Sequence, residues 1–221
     1  MSEPEITLEI RWFFPGTISE KEVKDWFLQN PRFGDRFTEK NGKKREDLYF
    51  RTPGHTGIGP KLREGRFEIK LLQGQQELEL AGAVSGRTEV WYKWKWSYAK
   101  GKKDKKISDL VSASFLAGTP EHSRVTVAKI RWLRKFTVEG PGKFVPVSKS
   151  QKDLTWWIST EITGVQVKDS PWWTLALEVY GNPDEPMPKL EQSLLWLIED
   201  YPGPPLRMAN SQSYPEWLAR L

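Results

Sequence analysis

Apolar and ionisable residues alternate in short runs along the chain. Thr7-Leu8-Glu9-Ile10-Arg11 shows the pattern, and it returns in Arg66-Phe67-Glu68-Ile69-Lys70, Lys93-Trp94-Lys95 and Thr174-Leu175-Ala176-Leu177-Glu178-Val179. Neighbouring side chains in a strand point to opposite faces, so each run predicts a strand with one apolar face and one charged face. Strands are predicted over Ile6–Phe13, Arg45–Arg51, Lys61–Arg63, Arg66–Leu72, Glu89–Tyr98, Val125–Lys135, Trp156–Thr163 and Trp173–Tyr180. Eight short strands among a few helices predict an α+β protein built on an eight-stranded antiparallel barrel.

Helical spacing appears between and after these runs. Ser19 followed by Glu22 makes a capping box, with Val23, Trp26 and Phe27 on one face and Asn30-Pro31 as the stop. Ile107–Leu116 carries Ile107, Leu110, Val111 and Phe115 at helical spacing; Lys189–Asp200 carries Leu190, Leu194, Leu197 and Ile198; Tyr214–Leu221 predicts a last short helix. Such helices need an apolar surface, which the strands offer through Ile6, Leu8, Ile10, Phe67, Ile69, Leu175, Leu177 and Val179. If helices cover those faces, the charged faces converge inside. Eight strands enclose about enough room for one small ligand. The Gly- and Pro-rich breaks are short enough to be turns, so one domain is expected over 1–221, with a helical extension from about residue 189.

Composition narrows the chemistry. The 221 residues contain no cysteine and only two histidines, His55 and His122, so thiolate chemistry and Cys/His metal sites are excluded and any metal would be held by oxygen. No leader follows Met1 and no run approaches the roughly 20 apolar residues that span a bilayer; a cytoplasmic protein without a membrane partner is expected. The net charge of +5 favours anionic partners. Part of it lies in Lys100–Lys106, which reads as a solvated loop. Twelve tryptophans, Trp94 and Trp96 among them, read as packing residues between strands and helices.

On the polar face of the alternation lie Thr7, Glu9 and Arg11, then Asp47, Tyr49 and Arg51, then Lys61, Arg63, Arg66, Glu68 and Lys70. Lys93, Lys95, Lys129, Arg131, Glu161 and Glu178 follow. Like charges gathered in a cavity demand compensation by carboxylates, water or a polyanion. Arginine suits bidentate recognition of phosphate oxygens and lysine adds a point charge. Glu9, Glu161 and Glu178 are either ligands for a divalent cation or counter-ions to these bases.

These motifs, in this order, resemble the CYTH, or triphosphate tunnel metalloenzyme, superfamily. Thr7-Leu8-Glu9-Ile10-Arg11 stands where that family has Glu-x-Glu-x-Lys. Asp47-Leu48-Tyr49-Phe50 is similar to its Asp-x-Tyr-Phe element, Lys61-Leu62-Arg63 to its basic third strand and Phe67-Glu68-Ile69-Lys70 to the next. Arg87-Thr88-Glu89, Lys129-Ile130-Arg131, Ser159-Thr160-Glu161 and Ala176-Leu177-Glu178 resemble the later strands. The resemblance, from Glu5 to about Glu199, implies an antiparallel tunnel with helices outside. It implies phosphate binding by Arg11, Lys61, Arg63, Lys70, Lys129 and Arg131, and Mg²⁺ or Mn²⁺ held by Glu9, Glu161 and Glu178. Lys93 and Lys95 join the phosphate-binding set by parity. Two family carboxylates are absent, with Thr7 and Ala176 in their places, which lowers the ligand count for a hard cation.

Three functions follow. One is metal-dependent hydrolysis of a triphosphate-containing small molecule, such as inorganic triphosphate, a nucleotide or thiamine triphosphate, with Glu161 orienting water. Another is a degenerate tunnel that binds a nucleotide or polyphosphate as a regulatory module. The last is a barrel whose outward charges bind RNA or a protein, although the alternation in Tyr92-Lys93-Trp94-Lys95-Trp96 puts rings and lysines on opposite faces.

Overall fold

All eight strands expected from the alternation form, and they close on themselves. The computed structural model describes residues 3–18, 20–33, 42–52, 54–64, 66–96, 113–114, 117–140, 142–147, 154–181 and 185–221. The strands are β1 (Glu5–Pro15), β2 (Lys44–Phe50), β3 (Ile58–Arg63), β4 (Arg66–Leu80), β5 (Val84–Trp96), β6 (Arg124–Gly140), β7 (Lys143–Pro146), β8 (Trp156–Val167) and β9 (Ser170–Gly181). Their order is β2-β3-β4-β5-β1-β9-β8-β6, and β6 pairs back onto β2, with every pairing antiparallel. This is a closed eight-stranded barrel, and closure leaves its eight strands no free edge. The unpredicted β7 folds back on the far end of β6.

The two faces separate as the alternation requires. Leu8, Ile10, Trp12 and Phe14 of β1, with Ile158 and Ile162 of β8 and Leu175, Leu177 and Val179 of β9, form one outer core. It is covered by Val23 from a π-helical turn (Glu20–Lys24), Phe27 from α1 (Asp25–Gln29), and Leu190, Leu194 and Leu197 of α2 (Pro186–Ile198). Arg134 is buried on this outer side, where its guanidinium donates to the carbonyls of Phe27 and Leu28 near the end of α1. A cation meeting terminal helix carbonyls is favourable, which accounts for a buried arginine on an apolar face.

Several expectations change in detail. The pairing of β4 with β5 runs well past the predicted ends, through a bulge between Leu72 and Gly74, to a turn where Ala81 and Gly82 have φ of 48° and 66°. Gln73–Glu77 looks like a loop because polar residues dominate it; ladder pairing holds it extended, with Leu78 and Val84 buried in the outer core. The helix expected from Ser19 begins with the π-helical turn, and Ser19 lies outside the described residues, as does the basic run Lys100–Lys106. Of the helix expected over Ile107–Leu116 only Ala113 and Ser114 are described. Trp96 is 37% exposed with its ring on Phe67, and Trp94 packs against Tyr92, so these rings contact strand neighbours. No helix among the described residues is long and apolar enough to cross a membrane.

The C-terminal segment crosses the outside of the barrel and turns over one end. Ser85 N–H donates to the Leu206 carbonyl, Ser211 bridges to Trp12, and Gln212 N–H donates to the Arg11 carbonyl. These bonds deliver α3 (Tyr214–Ala219), capped at Ser213, to the mouth of the tunnel nearest Phe13.

Candidate functional site

The interior is a well with an apolar floor. Phe13, Tyr49, Val127, Val165 and Val167 point inward at one end and pack with Trp217 and Leu218 of α3. Phe13 stacks on Trp217 at 4.7 Å and meets the Tyr214 edge at 5.1 Å, so α3 closes this end with aromatic rings. Tyr214 in turn stacks on Tyr49 at 5.6 Å, and its ring lies 3.4 Å from Lys129 Nζ and 5.0 Å from the Arg11 guanidinium. These cation–π contacts join the floor to the charged zone above it.

That zone is organised by cross-strand register. Arg11 of β1 faces Ala176 of β9, which faces Glu161 of β8. The methyl group of Ala176 leaves the arginine free to pass over β9. Arg11 donates from Nη1 to Glu161 at 2.7 Å and to Thr174 at 3.1 Å, and from Nη2 to Glu178 at 2.9 Å. Burial opposes its charge, but Glu161, Tyr214 and Glu178 outweigh burial and hold the guanidinium protonated. Glu161 also pairs with Arg131 at 3.3 Å, and Glu178 accepts from Tyr180. Glu9 accepts from Thr7 at 2.5 Å and pairs with Lys70. Although burial works against ionisation, Arg11 and Arg131 keep Glu161 well below the usual carboxylate range.

A second hub surrounds Asp47, which is wholly buried. Arg63 grips it bidentately at 3.0 and 3.1 Å, and Lys129, Arg45 and Lys61 stand 3.4, 3.5 and 3.7 Å away. Burial would raise its carboxyl; Lys129, Lys61 and Arg63 reverse that and hold it far below its ordinary value. Glu68, 3.4 Å from Lys61 and 3.5 Å from Arg63, is held at about 2 by the same two bases against its own burial. Burial, with Arg63 beside it, pushes the Lys61 ammonium down to about 7, and burial with Lys70 beside it pushes Lys93 to about 8.

Space and an excess of positive charge lie above these hubs. The central cavity, between Arg11, Lys70, Glu89 and Tyr214, holds only about 80 Å³. At the opposite end from α3 the tunnel widens to about 500 Å³, within the range of small-ligand sites. Nine lysines and arginines and three glutamates line this mouth. Arg63, Lys93 and Arg131 line both spaces and connect them.

Every residue expected at the site lines one of these two spaces. Arg11, Lys61, Lys70, Lys129, Glu9, Glu161 and Glu178 line the centre, and Lys95, paired with Glu5, sits at the rim of the mouth. Lys93 is buried on the inside while Tyr92 and Trp94 occupy the other face, so the alternation builds an inward charged surface. Glu89 is unforeseen as a site residue. It faces Glu9 across the β1–β5 ladder, accepts from the Trp91 indole at 2.9 Å, and is pushed up to about 7 mainly by its burial. Its parity with Lys93 was the available signal. Tyr214 carried no such signal, because nothing local links residue 214 to the tunnel floor.

The carboxylates do not fit a divalent cation as they stand. Both oxygens of Glu161 and both of Glu178 accept from Arg11, Arg131 or Tyr180, and Glu9 is taken by Thr7 and Lys70. Among the described residues no group of three Asp, Glu, His or Cys side chains is arranged to hold a metal ion. A guanidinium stands between the two carboxylates instead.

No family model matches the chain, and no curated protein matches it. Among solved structures, a putative adenylate cyclase from Bacillus halodurans is similar at 14% identity, over 89% of this chain and 94% of that one, with a TM-score of 0.37.

Proposed function

We propose that this protein holds a triphosphate-containing small molecule or a short polyphosphate in its basic tunnel, and that it does so without a divalent metal. The observation that carries this reading is the mouth, where about 500 Å³ is lined by nine cations and three glutamates, and where adding the buried Asp47 and Glu161 that pair with Arg45, Arg63 and Arg131 still leaves cations in excess. Gathering cations in a partly buried space is costly unless an anion compensates them. Below the mouth Glu161 and Glu178 are matched on both oxygens by Arg11, Arg131 and Tyr180, Glu9 pairs with Lys70, and Glu89 accepts from the Trp91 indole. The phosphate chain is therefore neutralised by side chains alone, with Arg131, Lys93 and Arg63 as the bases at the inner end of the mouth. Such a tunnel suits a nucleotide- or polyphosphate-binding module. Hydrolysis through a bound metal finds no support in this donor set, and Glu161 serves Arg11 and Arg131 as counter-ion.

Calorimetric titration with tripolyphosphate and with ATP, in EDTA and in Mg²⁺, tests the reading. Binding in EDTA that weakens with added salt, and that drops sharply in a Lys93→Ala/Arg131→Ala double variant, is expected. Binding that appears only with Mg²⁺, or no binding of either compound, would overturn it.

A further inference from the structure

The tunnel is closed at the end that carries α3. Phe13, Val127, Val165, Trp217 and Leu218 are each at most 3% exposed and pack into one apolar layer. Next to this layer Ser213, Tyr214 and Pro215, at the start of α3, line the central cavity. Tyr49, Gly59 and Pro215 line both that cavity and a pocket of about 230 Å³ beside Leu218 and Ala219, so these three residues form a wall between the two. The wall is tight: a Cβ on Gly59 would stand 3.0 Å from the Pro215 ring. A phosphate chain entering from the mouth thus meets hydrocarbon and aromatic rings at the bottom, where its charge can be neither hydrated nor paired.

The same geometry limits what can occupy the centre. The central cavity holds about 80 Å³, a few water volumes, against about 500 Å³ at the mouth. Eight lysines and arginines line it with four glutamates, and adding the buried Asp47 and Glu68, which pair with Lys61, still leaves cations in excess. That space and charge suit one phosphoryl group. A chain that runs on past the centre needs an exit, which the apolar layer denies. A chain that turns back needs room for two segments side by side, which the volume denies. The end of a chain meets neither obstacle, and a terminal phosphoryl group brings three free oxygens and a second negative charge near neutral pH.

We infer that the protein recognises the free end of a linear phosphate chain, with the terminal phosphoryl group seated in the central cavity and the following ones among Arg63, Lys93 and Arg131. The inference rests on the tunnel binding phosphoanhydrides, and it narrows that class. Linear chains qualify at any length, whereas rings and chains esterified at both ends do not. A long inorganic polyphosphate then carries one protein molecule at each end and none between.

Calorimetric titration in EDTA at physiological salt compares ligands with and without a free end. Tripolyphosphate should bind at least about tenfold more tightly than cyclic trimetaphosphate, and ATP at least about tenfold more tightly than diadenosine tetraphosphate, whose net charge is similar, because the ligands without an end lose one or more charge-assisted hydrogen bonds. Two linear polyphosphates, one several times longer than the other, should each take up two protein molecules per chain. Uptake that grows with chain length would overturn end recognition, as would either endless ligand binding as tightly as its counterpart; both results would leave phosphate binding by the tunnel standing. Failure of tripolyphosphate, ATP and the long chains to bind at all would instead overturn the tunnel's proposed ligand class. Lys61 lines the centre and not the mouth, so Lys61→Met gives a separate check. Its affinity for tripolyphosphate should fall, and an unchanged affinity would place the whole ligand in the mouth and refute the seated end.

Discussion

Arg11 passes over Ala176 to place its guanidinium 2.7 Å from Glu161, two strands away from its own. The same guanidinium reaches Glu178 at 2.9 Å, so one side chain neutralises two buried carboxylates. A larger residue at 176 would occupy that path. Ala176 thus leaves space on β9, and Arg11 of β1 fills it with a fixed cation.

An Arg11→Ala variant should accordingly be destabilised by about 3–5 kcal/mol, because two buried carboxylates each lose a charged partner and keep only Arg131 and Tyr180. It should also acquire a response to Mn²⁺ that the natural protein lacks, since Glu9, Glu161 and Glu178 would then be short of positive charge. Thermal denaturation checks this. A rise of about 5 °C or more in the variant's Tm on adding millimolar Mn²⁺, with little change in the natural protein, is expected from a gain of about 2 kcal/mol. Equal shifts in both proteins would refute the view that Arg11 occupies the cation position.

Glu89 should make stability depend on pH in the sense opposite to that of the paired carboxylates. Its neighbours are Glu9 on β1, Gln75 and Lys70 on β4 and Glu216 on α3, and its hydrogen-bond donor is the Trp91 indole. Its folded carboxyl, at about 7, lies above the ordinary glutamate value. The folded state therefore holds a proton that the unfolded chain has released, and stability falls as pH rises from the unfolded value to about 7. The loss is at most about 3 kcal/mol. Glu89→Gln removes it: urea denaturation should show the variant more stable than the natural protein at pH 8 and similar at pH 5. A variant less stable at both values would show that the carboxylate is ionised and stabilising.

The barrel was legible because its signal is local. A period of two, repeated with charge on one face, places a strand and says which side is polar, and covering helices decide that the polar side is inside. The inward bases Lys61, Arg63, Lys93, Lys129 and Arg131 followed from parity alone. What the pattern could not show is how charges pair across strands. Whether Glu161 meets a metal or Arg11 depends on the methyl group of Ala176 lying between them, a register fact that joins β1, β8 and β9. Tyr214 and Trp217 reach the floor only because the segment from Leu206 to Gln212 is bonded to β5 and β1.

Lys61 and Lys93 tie anion affinity to pH. Burial lowers their ammonium groups to about 7 and about 8, so both lose protons in a range where phosphate chains are already ionised. A polyphosphate binds the protonated form more tightly and takes up protons as it binds. Affinity for tripolyphosphate in EDTA should thus fall about tenfold or more as pH rises from about 7 to 9, roughly the effect of one unit of differential protonation. In Lys61→Met the affinity is lower and its pH slope shallower. A pH-independent affinity in the natural protein would mean that neither ammonium contacts the ligand.

Asp47 sets stability against binding. It neutralises part of the charge of Arg63, Lys129, Arg45 and Lys61 from a wholly buried position, and its depressed carboxyl favours the fold at every pH above the unfolded aspartate value. That contribution disappears as acid protonates the group. Asp47→Asn keeps the shape and removes the charge, leaving four bases to repel one another, and it should cost about 3–5 kcal/mol in urea denaturation at pH 7. Those same bases then hold an uncompensated charge that a phosphate chain can meet. Tripolyphosphate at about 100 times its dissociation constant should return about 2.7 kcal/mol by mass action, and its affinity for the variant should exceed that for the natural protein. A destabilised variant with weaker tripolyphosphate binding would show that Asp47 positions the bases for the ligand, so that its cost in charge is outweighed by the geometry it imposes.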